Sequence, residues 1–430
     1  MPASVPVHRM SLLNADASTC RGHIYHREVP PSQTSDHIPG PGEPLGLEEV
    51  APSGPLAGLV VADFSRVLAG PYATMMLADL GATVVKVENA GGDDTRTWMP
   101  PVHDGPDGPM STYYLSINRN KHSIVLDLDD PEDLADAHRL SARADVMIEN
   151  FKPGGLRRFE LDYDAVRERN ASVVYCSISG FGTAGGAHLP GYDLLVQATS
   201  GLMSLTGEPG GTPYRSGVAV FDVMTGLHAA VAILAALQHR TVTGEGQHVE
   251  TNLLSSALSC LVNQTSAYLA GDVVPSRMGN AHLSLFPYEP LPTGDGELIV
   301  IAGNDGQFRR LCTALGAPEL PDDPRFASMA DRTRNREALR PLLLERLATR
   351  SAQEWFDVLT GVGVPCGPIN TVDQGIGLAE SLGLNPVVHP GGGVGVVRNP
   401  VDYSLTPPDY RRTPPTLGAD TEAVRAWLKG

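Results

Sequence analysis

The sequence is poor in cysteine. Its five are Cys20, Cys176, Cys260, Cys312 and Cys366, an odd number with no C-x-x-C pair. That argues against a disulfide scaffold and a cysteine-rich zinc site, and a reducing cytoplasm is the expected setting. Positive charge is also short: 32 Lys and Arg face 49 Asp and Glu, for a net charge of −17. This balance disfavours nucleic acid and anionic membrane surfaces as partners, because phosphate contacts need a cationic face. Long apolar runs are missing too. The stretch 218–237 is interrupted by Asp222, Thr225, Gly226 and His228, so no membrane span is expected. No basic start leads into an apolar stretch near residue 1, so no secretory signal is expected. Familiar catalytic signatures are sparse. There is no H-E-x-x-H, no G-x-S-x-G and no G-x-x-x-x-G-K-[ST], and G-x-G-x-x-G is absent from the turn at 64–71. Zinc-protease, α/β-hydrolase and P-loop readings fall, an NAD reading is weakened, and no metal site is expected.

What the chain does have is glycine and proline, 46 and 36 of its 430 residues. They imply many tight turns without a G-X-Y period, which excludes collagen. At ~150 residues per domain the length implies two or three domains. Residues 1–54 are polar, broken by Pro and Gly, and show no helix or strand period; they read as a flexible extension. From Gly58 the texture changes. Residues 59–63 read as a buried strand, 72–80 as a helix bracketed by Pro71 and Gly81, and 83–88 as a second strand, a βαβ unit. The alternation continues with strands at 123–128, 145–149 and 172–178 and helices at 131–142 and 162–169. Two long helices are expected at 222–238 and 253–269, flanking a short strand at 247–251. Strand and helix in alternation imply a doubly wound α/β domain with ligand crevices at the strand carboxyl ends. A smaller α+β domain is expected from about residue 279, with a strand at 297–302 and helices near 306–315, 334–349 and 353–362. A Pro-rich tail closes with a helix at 421–429.

Four features could carry chemistry. The turn Arg66-Val67-Leu68-Ala69-Gly70-Pro71 precedes a helix, and a helix start after such a turn favours anions; a turn that needs Gly and Pro for geometry explains it as well. Glu88 ends the second strand, where dinucleotide folds keep a ribose-binding acid. Seven basic residues fall near strand ends: Arg66, Lys86, Arg96, Arg119, Lys121, Arg157 and Arg158. They suit an anionic ligand, or else ion pairs such as Arg96 with Asp93 or Asp94. Two aspartates stand at helix starts, Asp193 after Gly191-Tyr192 and Asp222 after Gly217-Val218-Ala219-Val220-Phe221. Each is compatible with an N-cap. Asp222 also suits a nucleophile, because the helix dipole favours its ionised form while burial opposes it. His239 and His248 straddle a turn and read as surface residues.

These features occur in a recognisable order. The blocks are V-A-D-F-S-R-V-L-A-G-P-Y-A (61–73), L-A-D-L-G-A-T-V-V-K-V-E (77–88), G-D-D-T-R (92–96), N-R-N-K-H-S-I-V-L-D-L (118–128) and A-D-V-M-I-E-N-F-K-P-G (144–154). They continue with G-Y-D-L-L-V-Q-A (191–198), T-G-E-P-G-G-T-P-Y-R-S-G-V-A-V-F-D (206–222), T-G-E-G-Q-H-V (243–249), R-M-G-N (277–280) and G-V-P-C-G-P-I-N (363–370). From about Pro55 to Leu428 the chain resembles the family III CoA-transferases, the CaiB/BaiF group. It looks nearer the branch acting on succinyl-CoA and dicarboxylates than formyl-CoA transferase, whose glycine-run loop is not visible.

The resemblance implies a Rossmann-like large domain over 55–265, a small domain over 279–375 and a return to the large domain over 385–430. It also implies an interlocked homodimer. Its substrates would be an acyl-CoA and a carboxylic acid, with coenzyme A entering as substrate and no tightly bound cofactor. By position, Asp222 is implied as the nucleophile that forms a mixed anhydride and then an aspartyl-CoA thioester. Contacts to CoA are implied for Leu68, Ala69, Leu126, Asp127, Leu128, Asp129, Asn150, Phe151, Lys152, Arg158, Tyr192 and Asp193. The sequence departs from the family at His122, where relatives have Arg, at Asp129, where Lys is frequent, and at Asn89. Its tail reads P-P-T-L-G-A-D-T, where relatives often have Glu-His after the Gly. Racemases of the same family place a His where Tyr192 stands, and tyrosine at its usual pKa is a poor proton acceptor, so transfer is favoured over racemisation. A catalytically silent CoA-binding subunit is the remaining alternative.

Overall fold

The computed structural model describes residues 53–106 and 108–430. The expected N-terminal extension lies outside the described residues except for Ser53 and Gly54, and Cys20 lies outside them as well.

Six strands form the central sheet: β1 (Val60–Asp63), β2 (Thr83–Glu88), β3 (Lys121–Val125), β4 (Val146–Glu149), β5 (Val174–Ser179) and β6 (Gln247–Asn252). Their order is β3-β2-β1-β4-β5-β6, and every pair is parallel. This is the doubly wound Rossmann order, with its reversal point between β1 and β4. All strand carboxyl ends therefore lie on one edge of the sheet.

The sequence explains why the sheet is covered on both faces. Its central strands are near-continuous Val, Ile and Ala, the pattern of strands buried twice over. Val61, Val84, Ile148, Cys176 and Ile178 pack one face against helices α1 (Ala69–Asp79), α5 (Val220–Thr243) and α6 (Leu253–Cys260). Val60, Ala62, Val85, Ile124, Met147 and Tyr175 pack the other face against α2 (Pro131–Arg143), α3 (Tyr163–Arg169) and the C-terminal α11 (Thr421–Lys429). Helix α4 (Asp193–Thr199) sits beside the head of α5.

A separate core is built from residues between Phe286 and Val364. It surrounds an antiparallel sheet of β7 (Tyr288–Pro292), β8 (Glu297–Ile301) and β9 (Cys366–Gly367) with α8 (Asp305–Ala314), α9 (Arg336–Leu347) and α10 (Ala352–Gly361). The chain then returns to the large sheet. Asp420 Oδ2 accepts the Ser123 amide at 2.9 Å, and Asp420 Oδ1 meets His122 Nδ1 at 3.1 Å. Asp79 grips Arg119 through two hydrogen bonds of 2.8 and 2.6 Å, and Arg119 reaches the Val397 carbonyl at 3.0 Å.

Two expectations need correction. The helix expected over 253–269 is two helices, α6 and α7 (Val262–Gly271), because Val262 takes φ 37° and breaks the right-handed backbone. A hairpin of Val102–Gly105 and Gly108–Ser111 followed by a helical turn, Thr112–Leu115, stands where no element was expected. Helix α5 is long and apolar enough to cross a membrane by length and composition. One side of it, Phe221, Ala229, Ala230, Ile233, Ala236 and Leu237, is buried within the protein.

Candidate active site at the head of helix α5

Asp222 lies in the first turn of α5, after the helix has already begun at Val220, and makes no cap of its own. The cap comes from another helix. Asp193, buried at the start of α4, accepts the Phe221 amide at 2.8 Å and the Asp222 amide at 3.3 Å through Oδ1. The N-cap alternatives therefore fail for both residues: Asp193 caps the neighbouring helix, not its own, and frees the Asp222 side chain from that duty. Gln197, fully buried one turn further along α4, completes a clamp. Its Nε2 donates to Asp193 Oδ2 at 2.5 Å and to the Val218 carbonyl at 3.2 Å, and its Oε1 accepts the Ser216 amide at 2.8 Å. The segment 216–222 is thus fixed at both ends.

Burial raises the Asp222 carboxyl to a pKa of about 7, and the like charge of Asp193 adds to the rise. Near neutral pH, Asp222 is divided between a carboxylate and a neutral acid, in a site that solvates the charged form poorly. Tyr113, from the helical turn after the unforeseen hairpin, belongs to the same site. Its phenol is raised to about 12, first by burial and then by Asp222, Asp193 and Asp93. Tyr113 stays neutral and keeps its proton. The signal in sequence was slight, because Tyr113 lies in a stretch without strand or helix period.

Helix α5 also meets the turn that follows β1. A Cβ on Gly226 would lie 2.6 Å from the Ala69 carbonyl oxygen, so only glycine allows α5 and α1 to cross this closely. Asp222 is one helical turn ahead of that crossing. The turn itself is unusual: Val67 has φ 70°, a conformation that a β-branched residue adopts at a cost of order 1–3 kcal/mol. Asp93 accepts the Val67 amide with both carboxylate oxygens, at 3.3 and 3.2 Å. Asn150 holds the neighbouring Arg66 backbone on both sides, accepting its N–H at 3.0 Å and donating to its C=O at 2.7 Å. Residues 66–69 follow β1 and residues 150–152 follow β4, so this pair of loops flanks the reversal point of the sheet, where open α/β folds take their ligands.

The expected CoA-contact residues separate into groups. Leu68, Ala69 and Leu126 are buried, and Leu128, Asn150 and Phe151 are half-buried. Asp127, Asp129, Lys152, Arg158 and Tyr192 are exposed. The Asn150 amide is engaged with Arg66, so it shapes the crevice floor. Asp129, after β3, pairs with Arg158 at 3.3 Å, which ties two of these groups together. Asp193 stands beside Asp222, while the Tyr192 ring points largely into solvent.

Several charged residues do not play the part expected of them. Glu88 is no ribose ligand: its carboxylate is buried and occupied by Arg96 (2.7 Å twice), the Asp93 amide (2.8 Å) and Ser123 Oγ (2.7 Å). Arg96 accordingly pairs with Glu88, not with Asp93 or Asp94. Lys86, Arg119 and Lys121 are buried against Asp93, Asp79 and Asp63 at 2.8, 2.6 and 3.2 Å, which leaves Arg66, Arg157 and Arg158 as exposed cations of the seven. His248 is half-buried, stacked on Tyr163 and hydrogen-bonded to Ser177 Oγ at 2.9 Å. Among the described residues no group of three or more His, Cys, Asp or Glu is arranged to hold a metal ion.

A doubly wound sheet with its reversal point beside a half-buried carboxylate at the head of α5 places an acidic group where open α/β folds take their ligands. The chain belongs to CoA-transferase family III, which it matches over residues 56–421, and it is a CoA-transferase. It is 44% identical over 383 residues to a succinate–glutarate CoA-transferase of Agrobacterium fabrum, covering 87% of this chain and 96% of that one. It is 42% identical over 376 residues to the human succinyl-CoA:glutarate CoA-transferase, covering 86% and 85% of the two chains. Among solved structures, a CaiB/BaiF family protein from Brucella suis is similar with a TM-score of 0.80 at 42% identity, covering 87% of this chain and all of that one.

Proposed function

We propose that this enzyme moves CoA from succinyl-CoA to a dicarboxylic acid such as glutarate, with Asp222 as the nucleophile. The observation that carries the reading is the placement of the Asp222 carboxyl, in the first turn of α5 beside the reversal-point crevice and held by Asp193, with burial raising its pKa. Its charged form is destabilised before reaction, so loss of charge on acylation is favoured. The Asp222 carboxylate attacks the thioester carbonyl carbon and expels CoA thiolate, giving a mixed anhydride. The thiolate attacks the aspartyl carbonyl, releases the donor acid as its carboxylate and leaves an aspartyl-CoA thioester. The acceptor carboxylate attacks that thioester carbonyl, expels the thiolate again and forms a second anhydride. Thiolate attack on the acceptor acyl carbon then yields the new CoA ester and regenerates Asp222. Keeping CoA bound throughout makes each return attack effectively unimolecular.

The CoA ester runs over the Leu68–Ala69 turn and along 126–129 and 150–152, with Arg158 near its nucleotide end and Tyr192 and Asp193 near the reacting carbonyl. The relatives named as succinyl-CoA:glutarate enzymes support the donor and acceptor. The active form is a homodimer. Supporting it, α5 exposes Val231 and Val242 and α7 exposes Tyr268 and Leu269, the last at 78%. A cavity of about 590 Å³ between α6, α7 and residues 200–205 is lined by Leu258, Tyr268, Leu269 and Val274. An apolar surface of this extent marks a binding face. Cys176, Cys260, Cys312 and Cys366 are free thiols, which suits the cytoplasm.

The test is a panel of mono- and dicarboxylates offered with succinyl-CoA and acetyl-CoA, with products read by mass spectrometry. Succinyl-CoA with a dicarboxylate should give the fastest transfer, and hydroxylamine added during turnover should label Asp222. Asp222→Ala should still bind CoA and lose transfer. Full transfer by that variant would remove Asp222 from the mechanism.

A further inference from the structure

Three consecutive residues in the turn after β1 each have backbone groups with a dedicated partner. The Ser65 carbonyl accepts from Lys86 Nζ at 2.9 Å. The Arg66 amide and carbonyl are both taken by Asn150. The Val67 amide is shared by the two Asp93 oxygens. Asp93 is itself pinned by Lys86 Nζ at 2.8 Å and by the Thr95 amide and hydroxyl at 3.0 and 2.8 Å. Lys86 comes from inside β2 and Asp93 from the loop beyond it, so the grip comes from outside the turn.

Two features of this grip do not serve stability. The Lys86–Asp93 pair is entirely out of water, and a buried ion pair is generally no more stabilising than apolar residues of the same volume. The turn it holds is one that valine avoids, and a strained residue persists only where its surroundings over-determine it. A glycine at position 67 would take the same φ without help. The arrangement therefore looks fitted to hold one backbone shape. That shape sets Leu68 and Ala69 between the reversal-point crevice and the Ala69–Gly226 crossing that carries Asp222.

We infer that Asp93, anchored by Lys86, is a positioning residue for the CoA ester, acting through the Val67 amide to hold the Leu68–Ala69 turn in its binding shape. The inference rests on the proposed passage of the CoA ester over that turn. Asp93 touches no substrate. Its carboxylate replaces, by hydrogen bonding, the conformational freedom that glycine would supply at position 67.

The test uses the full-length enzyme and coenzyme A as the probe. Two readouts are taken: hydrogen exchange of the peptide spanning residues 64–70 in the unliganded protein, and the dissociation constant for CoA by calorimetry, with kcat at saturating substrate beside it. Asp93→Asn should speed exchange in the turn and weaken CoA roughly tenfold, the cost of one lost buried hydrogen-bond acceptor, with kcat much less affected. Adding Val67→Gly to Asp93→Asn should recover part of the CoA affinity, because glycine takes the left-handed φ without strain; a purely structural role for Asp93 predicts no such rescue. Unchanged exchange in Asp93→Asn would overturn the inference whatever the affinity does. Faster exchange with unchanged affinity would show that the turn moves without CoA noticing, and would overturn the proposed CoA path instead. If Asp93→Asn does not fold, Val67→Pro serves: it leaves the Lys86–Asp93 pair intact but forbids both the amide donor and the positive φ. It must weaken CoA binding, and an unaltered dissociation constant would sink the role.

Discussion

Asp193 Oδ1 accepts the amide of Asp222 at 3.3 Å while its second oxygen is held by Gln197 at 2.5 Å. One carboxylate thus fixes the backbone of the other and, by its charge, discourages the other from ionising. A site arranged in this way couples position and protonation through a single contact, and its consequences are measurable.

The first consequence is for stability. The folded Asp222 carboxyl has a pKa of about 7 against an ordinary value of 3.8. Between these two pH values the folded state holds more protons than the unfolded state, so stability falls as pH rises, and above pH 7 the loss is complete. Asp222→Asn removes the loss. It should unfold later than the native protein at pH 8, by on the order of 2–4 kcal/mol, with the difference vanishing toward pH 4. Urea melts at the two pH values measure this, and a variant less stable than the native protein at pH 8 contradicts it.

The second concerns rate against pH. In the proposed mechanism attack needs the ionised form, so kcat/KM for the acyl-CoA should rise with pH through a midpoint near 7 and level off only well above it. Asp193→Asn removes the neighbouring negative charge and should move this rise to lower pH. Because burial is the larger cause, the midpoint should remain above the ordinary 3.8. A midpoint that stays in place would mean that Asp193 acts only through its hydrogen bonds.

Gln197 tests the clamp without replacing either carboxylate. In Gln197→Leu the Ser216 amide and Asp193 Oδ2 lose their partners. The buried groups left unpaired should cost ~1–3 kcal/mol of stability. The freed 216–222 segment should lower kcat on the order of tenfold or more. Steady-state kinetics beside a thermal melt separates the two effects; a stability loss with native kcat would show that the segment keeps its shape unaided.

Gly226→Ala probes the helix crossing. The added methyl would stand 2.6 Å from the Ala69 carbonyl oxygen, which is backbone and cannot rotate away. Helix α5 must shift, at a cost of ~1–3 kcal/mol. Asp222, one turn away, should move with it, so transfer should fall by more than the change in melting temperature explains. The measurement is kcat at a temperature well below the melting transition, and native kcat there would refute the coupling.

Much of the fold is legible in the chain because its signals are local. Strands such as β2 are rich in β-branched residues, and α1 carries Pro71 in its first turn and ends ahead of Gly81. Asp222 stands out because Gly217 and an apolar run lead a carboxylate into a long apolar helix. Other parts are not legible because they depend on contacts distant in sequence. Tyr113 lies more than a hundred residues from Asp222. Glu88 looks like a ribose ligand until Arg96, Asp93 and Ser123 are seen to surround it. The left-handed Val67 could not be foreseen, because nothing in a valine asks for it; its amide partner Asp93 lies 26 positions away along the chain.

By itself, then, the order of residues determined the alternating parallel sheet, the residue that brings a carboxylate to a helix head, and the family whose ordered blocks it carries. Those features follow from short-range sterics and apolar periodicity, which the chain writes along its length. Only the folded molecule decided which charges face substrate and which are buried against each other, that Asp193 caps a helix other than its own, and that Asp222 holds its proton near neutrality. Burial and hydrogen bonding are properties of neighbours in space, and the sheet's reversal between β1 and β4 is what makes those residues neighbours.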